Sequence, residues 1–356
     1  MIKTFKRFLL LSLSLSFLAS SAFAQPAGAR GDNFIYIVQR NDTVALIAER
    51  FTSKPSHWRA IRAYNRINNV HAIPVGKQIL IPFKYIDTIP EYAQVSSLVG
   101  EAYLDDQPLL ADQRLQESQV IRTTANSSVT LSFANGSTIS IAPNSLVTIQ
   151  RLRSFSGTGL IDAIFNAQVG SFTADVNVNA EGVGRFEIRT PVSITGIRGT
   201  KIRNHVDAQG NTTVELLRGK TDISTNQRPN ERLELGKQQG INITQGALGT
   251  PLELLPAPMV QTQVEQAKQE LSLQIQAVEQ AQQYLVRYTL DQDGMREIAR
   301  YSTQELNFTL PLPQNIYRFY VQARSINQQG MGGSDQAALV VLQSPTETDS
   351  TVDKKK

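Results

Sequence analysis

The side chains that could do chemistry are few and scattered. His57, His71 and His205 are the three histidines, and none stands in a His-Glu-x-x-His or similar metal-ligating spacing. No serine lies in a Gly-x-Ser-x-Gly elbow or a Ser-x-x-Lys pair, and no glycine-rich phosphate loop appears. Cysteine is absent, which excludes disulfides, a thiol nucleophile and thiolate metal sites. Asp105-Asp106 has no partner at a defined spacing and reads as a turn. Arg59, Arg62 and Arg66 recur at helical spacings of three and four. They read as a solvated positive face able to attract anionic polymers without specificity. The chemistry expected is therefore recognition rather than catalysis, with no cofactor and no metal.

Charge must be located before it is interpreted. The 356 residues carry a net +4. Residues 1–24 read as a secretory signal peptide: Lys3, Lys6 and Arg7, then an apolar run from Phe8 to Ala19, then Ala22 and Ala24 at an A-x-A cleavage site. The apolar run is shorter than the about 20 residues that a spanning helix needs. Cleavage after Ala24 leaves Gln25 as the first residue and a net charge of +1. Residues 34–86 alone sum to +6, with eight Lys and Arg against Asp42 and Glu49, and residues 87–356 sum to −5. A small basic module on a mildly acidic body argues against a nucleic-acid partner. Export and the lack of cysteine suit a bacterial periplasm.

The basic module must be built from few elements. Ile35–Val38 is expected as a strand. Asn41 or Asp42 is a good N-cap for a helix from Thr43 to Phe51. Val44, Ile47, Ala48 and Phe51 give that helix one apolar face. A second helix is expected from His57 to Tyr64, with Trp58 and Ile61 inward. Pro74-Val75-Gly76 turns the chain into a last strand, Gln78–Ile81. The order Tyr36, Val38, Asp42-Thr43, Ile47-Ala48, Phe51, Trp58, Ile61, Tyr64-Asn65, Ile67, Ile73-Pro74-Val75-Gly76, Ile79 and Ile81-Pro82 resembles a LysM domain. Asn41 departs from the family, which usually has glycine there.

That resemblance implies binding of N-acetylglucosamine-containing glycan, in bacteria peptidoglycan, in a groove between two loops. The residues it designates are Asn41, Asp42, Thr43 and Val44 with Ile73, Pro74, Val75 and Gly76. N-acetyl sugars need amides and carbonyls for the acetamido group and a shallow apolar floor for its methyl. Asp42 can equally be a helix cap or a ligand contact, and Trp58 is expected in the core rather than stacked on sugar.

The remainder reads as strands. Alternation is clear at 128–133, 138–141 and 185–189, punctuated by Asn135-Gly136, Pro143-Asn144, Gly157 to Gly159 and Gln209-Gly210-Asn211. Arg185-Phe186-Glu187-Ile188-Arg189-Thr190-Pro191, followed by Ile197-Arg198-Gly199-Thr200, resembles the FecR domain, with polar Gln116 where the family usually has glycine. Arg198 is expected to donate to carbonyls across its turn. Residues 317–334, from Tyr317 to Ser334, resemble the late strands of a fibronectin type III-like sandwich.

The expected chain is thus multidomain and mainly β. It comprises a signal peptide (1–24), a β-α-α-β LysM module (34–86), a FecR-like β-sandwich or roll (97–258), a fibronectin type III-like β-sandwich (259–345) and a polar tail (346–356). Residues 25–33 and 87–92 are expected as linkers, and 261–270 as a short helix. The function expected is a non-enzymatic periplasmic scaffold tethered to peptidoglycan, whose β domains engage an envelope protein or polysaccharide. The alternative is a periplasmic regulatory component of an envelope signalling system acting through the FecR-like domain, although no transmembrane or cytoplasmic anti-sigma segment is seen. A wall hydrolase would need a motif that the chain lacks.

Overall fold

The computed structural model describes residues 29–30, 32–177 and 184–343. The signal peptide with its cleavage point and the polar tail at 346–356 lie outside the described residues. Among those residues, no helix is long and apolar enough to cross a membrane.

The N-terminal module is β-α-α-β. Strands Asn33–Ile37 and Gln78–Pro82 pair antiparallel, and helices Val44–Phe51 and Trp58–Tyr64 cover one face. Phe34, Tyr36, Val44, Ile47, Ala48, Phe51, Ile61, Ile79 and Ile81 form the core, as the apolar spacing required. Asn65 clips the second helix to the last strand. Its amide donates to Leu80 O (2.7 Å) and its carbonyl accepts from Leu80 N (2.7 Å). Within the stretch expected as a linker at 25–33, the described residues Ala29–Arg30 and Asn33 instead belong to the sheet, because Ala29–Arg30 pairs with Asn33 and Phe34.

The central domain is a two-sheet sandwich hinged on one strand, Leu160–Asp175. Its first half pairs with Leu146–Phe155 and, in parallel, with Arg185–Arg189. Its second half pairs with Thr138–Ile141 and Lys201–Val206 in the other sheet. The strand changes sheet near Gly170, which sits at φ +102° and where a Cβ would collide with Ser145. Between the sheets lie Ile121, Leu131, Phe133, Phe165, Phe186, Val214 and Ile241, with the three phenylalanine rings 5.7–5.8 Å apart.

The Thr-Pro and Ile-Arg-Gly-Thr motifs have structural reasons. Buried Thr190 accepts through Oγ1 from Ser193 N (3.0 Å) and from the Thr212 hydroxyl (2.8 Å), fixing the turn that contains Pro191. Ile197 enters the core, while Gly199 turns at φ +63°. Gln116 is tolerated because the left-handed residue of its turn is Ser118 (φ +77°).

The C-terminal domain packs a three-stranded sheet (Val260–Glu265, Glu270–Ile275, Asn307–Pro311) on a four-stranded one (Ala281–Thr289, Glu297–Thr303, Arg318–Asn327, Gln336–Val341). This is a fibronectin type III-like sandwich, with Tyr288, Phe319 and Val286 in its core. The helix expected at 261–270 is instead a strand and a single turn, Gln266–Lys268. The stretch has no apolar face for a helix, and it finds partners in a hairpin with 270–275, whose turn is closed by Gln269 at φ +58°.

The junctions depart most from expectation. Thr88–Pro90, within the expected linker at 87–92, pairs with Arg153–Phe155. The central domain begins there rather than at 97, since Ala93 and Val95 already belong to its core. Phe83 stacks on Phe155 with centroids 4.0 Å apart, and Phe155 and Leu160 complete the core of the N-terminal module. Beside this seam the fully buried Asp162 is held by Arg185 (2.7 Å from each oxygen) and Arg151 (3.2 Å).

The second junction is polar. The outer face of the four-stranded sheet lies on the outer face of the central domain. Thr130 Oγ1 donates to Met295 O (2.7 Å), and Arg203 donates to Gly332 O (2.7 Å) and Gly333 O (2.6 Å). Arg203 also pairs with Glu215 (2.7 Å) and Asp335 (3.1 Å); Arg287 and Arg324 reach Asp335 at 3.1 and 2.9 Å. Burial opposes ionisation of Asp335, but Arg324, Arg287 and Arg203 overcome it and hold its carboxyl below the ordinary range.

Two outcomes follow. Phe155→Ala should cost about 3–5 kcal/mol in denaturant unfolding and reduce hydrogen-exchange protection in Val44–Phe51; unchanged protection would contradict a shared core. For Asp335 the folded carboxyl titrates below the unfolded one. Its contribution is therefore complete above the unfolded value of about 3.9 and is lost as pH falls further. Acid unfolding should accordingly steepen below about pH 4, and Asp335→Asn should be weaker at neutral pH and flatter in acid.

Candidate functional site

The two strands of the N-terminal module end together at the Ile37–Gln78 pair, and both designated loops leave from that end. Val38 N donates to Lys77 O (2.9 Å), Gly76 N to Val38 O (2.8 Å) and Lys77 N to Pro74 O (3.1 Å). The turn at 73–77 is thereby clipped to the residue that opens the first loop. Val44 N reaches Val70 O (3.4 Å), tying the first helix to the approach of the second loop. Asn41, Asp42, Thr43 and Val44 thus lie at one end of the module with Ile73, Pro74, Val75 and Gly76.

Their roles divide by exposure. Val44 and Ile73 are buried beneath the surface, whereas Asn41, Pro74, Val75 and Gly76 are exposed, Val75 by 69%. Main-chain groups beside an exposed apolar side chain are what an acetamido group requires. Asn41 takes φ +70° and Gly76 φ +85°. The first explains why glycine is usual at that position and why asparagine, which tolerates the left-handed region, can replace it.

Asp42 serves neither as cap nor as an outward-facing ligand group. Its Oδ2 accepts from the Tyr36 hydroxyl (2.7 Å) and from Gln39 N (2.7 Å), and its side chain is 6% exposed. Arg50 donates to the same hydroxyl (2.9 Å). Burial, together with the bond to Asp42, pushes the Tyr36 phenol up to about 12. The carboxylate braces the loop from behind, and the cap is Thr43, whose Oγ1 accepts from Leu46 N (3.2 Å).

The other residues singled out from the sequence are separate from this end. Trp58 is half-buried against the core, with Arg59 4.9 Å from its ring centroid. Arg62 donates to Ile67 O (3.1 Å), so the three arginines are not simply a solvated face. His57 packs against Tyr85 with the rings tilted by 39°, His71 is exposed, and His205 Nδ1 lies 2.8 Å from Ser171 Oγ in the central domain. Arg198 lines an open groove with Arg185, Arg189 and Arg232. The Tyr36–Asp42 brace was not anticipated. The signal was present, since a tyrosine inside a buried strand must satisfy its hydroxyl.

Residues 36–82 match the family model for the LysM domain, and residues 119–222 match the model for FecR protein. The chain carries both domains. No curated protein matches the chain in sequence. Among solved structures, a candidate anti-sigma factor from Parabacteroides distasonis is 12% identical with a TM-score of 0.31; the match covers 38% of this chain and 59% of that one. The FN1–FN3 domains of chicken CNTN1 are 13% identical with a TM-score of 0.23, over 63% of this chain and 96% of that one. At these TM-scores neither likeness informs on function.

Asp42→Ala should destabilise the protein by about 1–3 kcal/mol, because it removes the acceptor for both the Tyr36 hydroxyl proton and Gln39 N. Adding Tyr36→Phe should recover part of that loss, read as a coupling energy in a double-mutant cycle of thermal unfolding. Strict additivity would contradict the brace.

Proposed function

We propose that this LysM- and FecR-containing chain is an exported, non-enzymatic scaffold that tethers itself to peptidoglycan and presents its β domains to an envelope partner. The observation that carries the reading is the convergence of Asn41–Val44 and Ile73–Gly76 at one end of a LysM domain. Asn41 and Gly76 hold the left-handed backbone there, and the exposed residues Pro74 and Gly76 flank Val75. The ligand is an N-acetylglucosamine-containing glycan. One such module makes few contacts, so binding is weak unless the polymer offers many sites at once. The signal-like segment at 1–24 supports export to the periplasm, where the polymer lies.

A second reading draws on the FecR match at 119–222: a regulatory role in envelope signalling, through protein contact. The two readings differ in what the protein captures. The second requires an envelope membrane protein recovered in pull-downs through residues of the central domain, with wall binding dispensable.

The test of the first is co-sedimentation with purified sacculi. Deleting residues 34–86 is a poor control, because it would uncover Phe155 and Leu160. Val75→Asp changes an exposed side chain and leaves the core alone. The wild type should pellet, and Val75→Asp should weaken binding by about tenfold, or ~1.4 kcal/mol, with unfolding unchanged. Failure of the wild type to pellet, or equal pelleting of the two proteins, would sink the proposal.

A further inference from the structure

The polar seam between the central and C-terminal domains encloses more than a contact. A cavity of about 230 Å³ lies between the two facing sheets. Ser140, Ser171, Thr173 and His205 line it from the central domain, with Gln283, Arg300, Ser302 and Arg324 opposite. Strand alternation explains this lining. Ile139, Phe172 and Ile202 point into the central core, so their neighbours Ser140, Ser171, Thr173 and Arg203 point outward. On the other side Tyr284 and Val286 fill the C-terminal core, leaving Gln283, Leu285 and Arg287 to face the seam.

The charges around the cavity do not balance. Arg203, Arg287, Arg300 and Arg324 are cationic, and Glu215, Glu297 and Asp335 are the carboxylates paired with them. Each carboxylate is already shared: Glu297 between Arg287 and Arg300, Glu215 between Arg203 and the Gly332 amide, and Asp335 among three arginines. Arg324 has the poorest share. Its side chain is 8% exposed, and its ion pair runs through Nε to Asp335. Burial and the nearby Arg203 and Arg287 pull its guanidinium down to about 9. A buried guanidinium in a surplus of positive charge is costly unless an anion completes it. The open volume, several times the about 30 Å³ that one water occupies, gives an oxyanion room beside it, with serine and threonine hydroxyls on the opposite wall.

We propose that this interdomain cavity is a binding site for a small oxyanion, a phosphate group or a sugar carboxylate, held by Arg324 and Arg300 from the C-terminal sheet with hydroxyl donors from the central sheet. Because both domains supply its walls, the bound anion clamps them together.

The test titrates the full chain with inorganic phosphate in one arm and glucuronate in the other, at fixed ionic strength, followed by calorimetry and thermal unfolding. Saturable one-to-one binding with a rise in Tm is expected in at least one arm. Binding of phosphate alone assigns a phosphoryl site, of glucuronate alone a carboxylate site, and of both a general oxyanion site. Arg324→Gln should weaken binding by at least about tenfold, the loss typical of a charge-assisted hydrogen bond. Should that variant fold poorly, Ser302→Trp at the exposed rim fills the mouth without touching an ion pair; it should abolish binding at unchanged Tm of the free protein. Absence of saturable binding in both arms would overturn the proposal, as would binding that survives Ser302→Trp at full strength.

Discussion

The strand Leu160–Asp175 touches every part of the structure, and its bend at Gly170 is the constraint on which the rest depends. Leu160 lies in the core of the LysM module. Ala163, Phe165, Ala167, Phe172 and Ala174 fill the central sandwich. Ser171 and Thr173, on the opposite face of its second half, look toward the C-terminal domain. A strand serves both sheets only if it changes direction where they meet, and the contact with Ser145 admits no side chain at that point. Three domains therefore share one backbone reference, and none is simply hung from its neighbour by a flexible segment.

The two junctions are built from different physics. The first is apolar: Phe83 on Phe155, sealed by the pairing of Thr88–Pro90 with Arg153–Phe155. The stacked rings themselves carry no charge to screen or titrate. The second is made of ion pairs and hydrogen bonds between sheet faces that would otherwise meet water. Buried ion pairs gain little net stability over apolar packing, because desolvation offsets attraction. They do penalise any misalignment that leaves one charge unpaired. The seam thus fixes orientation more than it adds strength, and it responds to pH and to anions. A LysM module joined by an apolar seam to a body with a charged second junction is compatible with the proposed scaffold role.

Much of this architecture was legible from residues alone. The helix Val44–Phe51 follows from four apolar positions on one face, and the sandwich strands follow from alternation at 128–132, 138–141 and 185–189. The loops of the candidate site were legible because Pro74-Val75-Gly76 and Asn41-Asp42-Thr43 carry local backbone demands. The segments misread were those whose conformation is decided at a distance. Thr88–Pro90 and Ala29–Arg30 are too short and too mixed to signal strands, and become strands because an edge is waiting for them. Residues 260–265 become a strand because Glu270–Ile275 folds back beside them.

By itself, then, the sequence determined the order of modules, their cores and the two loops of the candidate glycan site, since these rest on periodicity and local turn chemistry within a few tens of residues. The tertiary structure decided which way polar side chains face. Asp42 looks like a cap or a ligand along the chain, yet turns inward to Tyr36 because that hydroxyl is buried six residues earlier. Arg203, Arg287 and Arg324 look like ordinary outward positions on three strands and Asp335 like a residue at the mouth of a fourth, and they become one charged cluster when two sheets meet face to face. Period-two alternation says that a residue leaves its own core; it carries no information about whether water or another domain lies beyond.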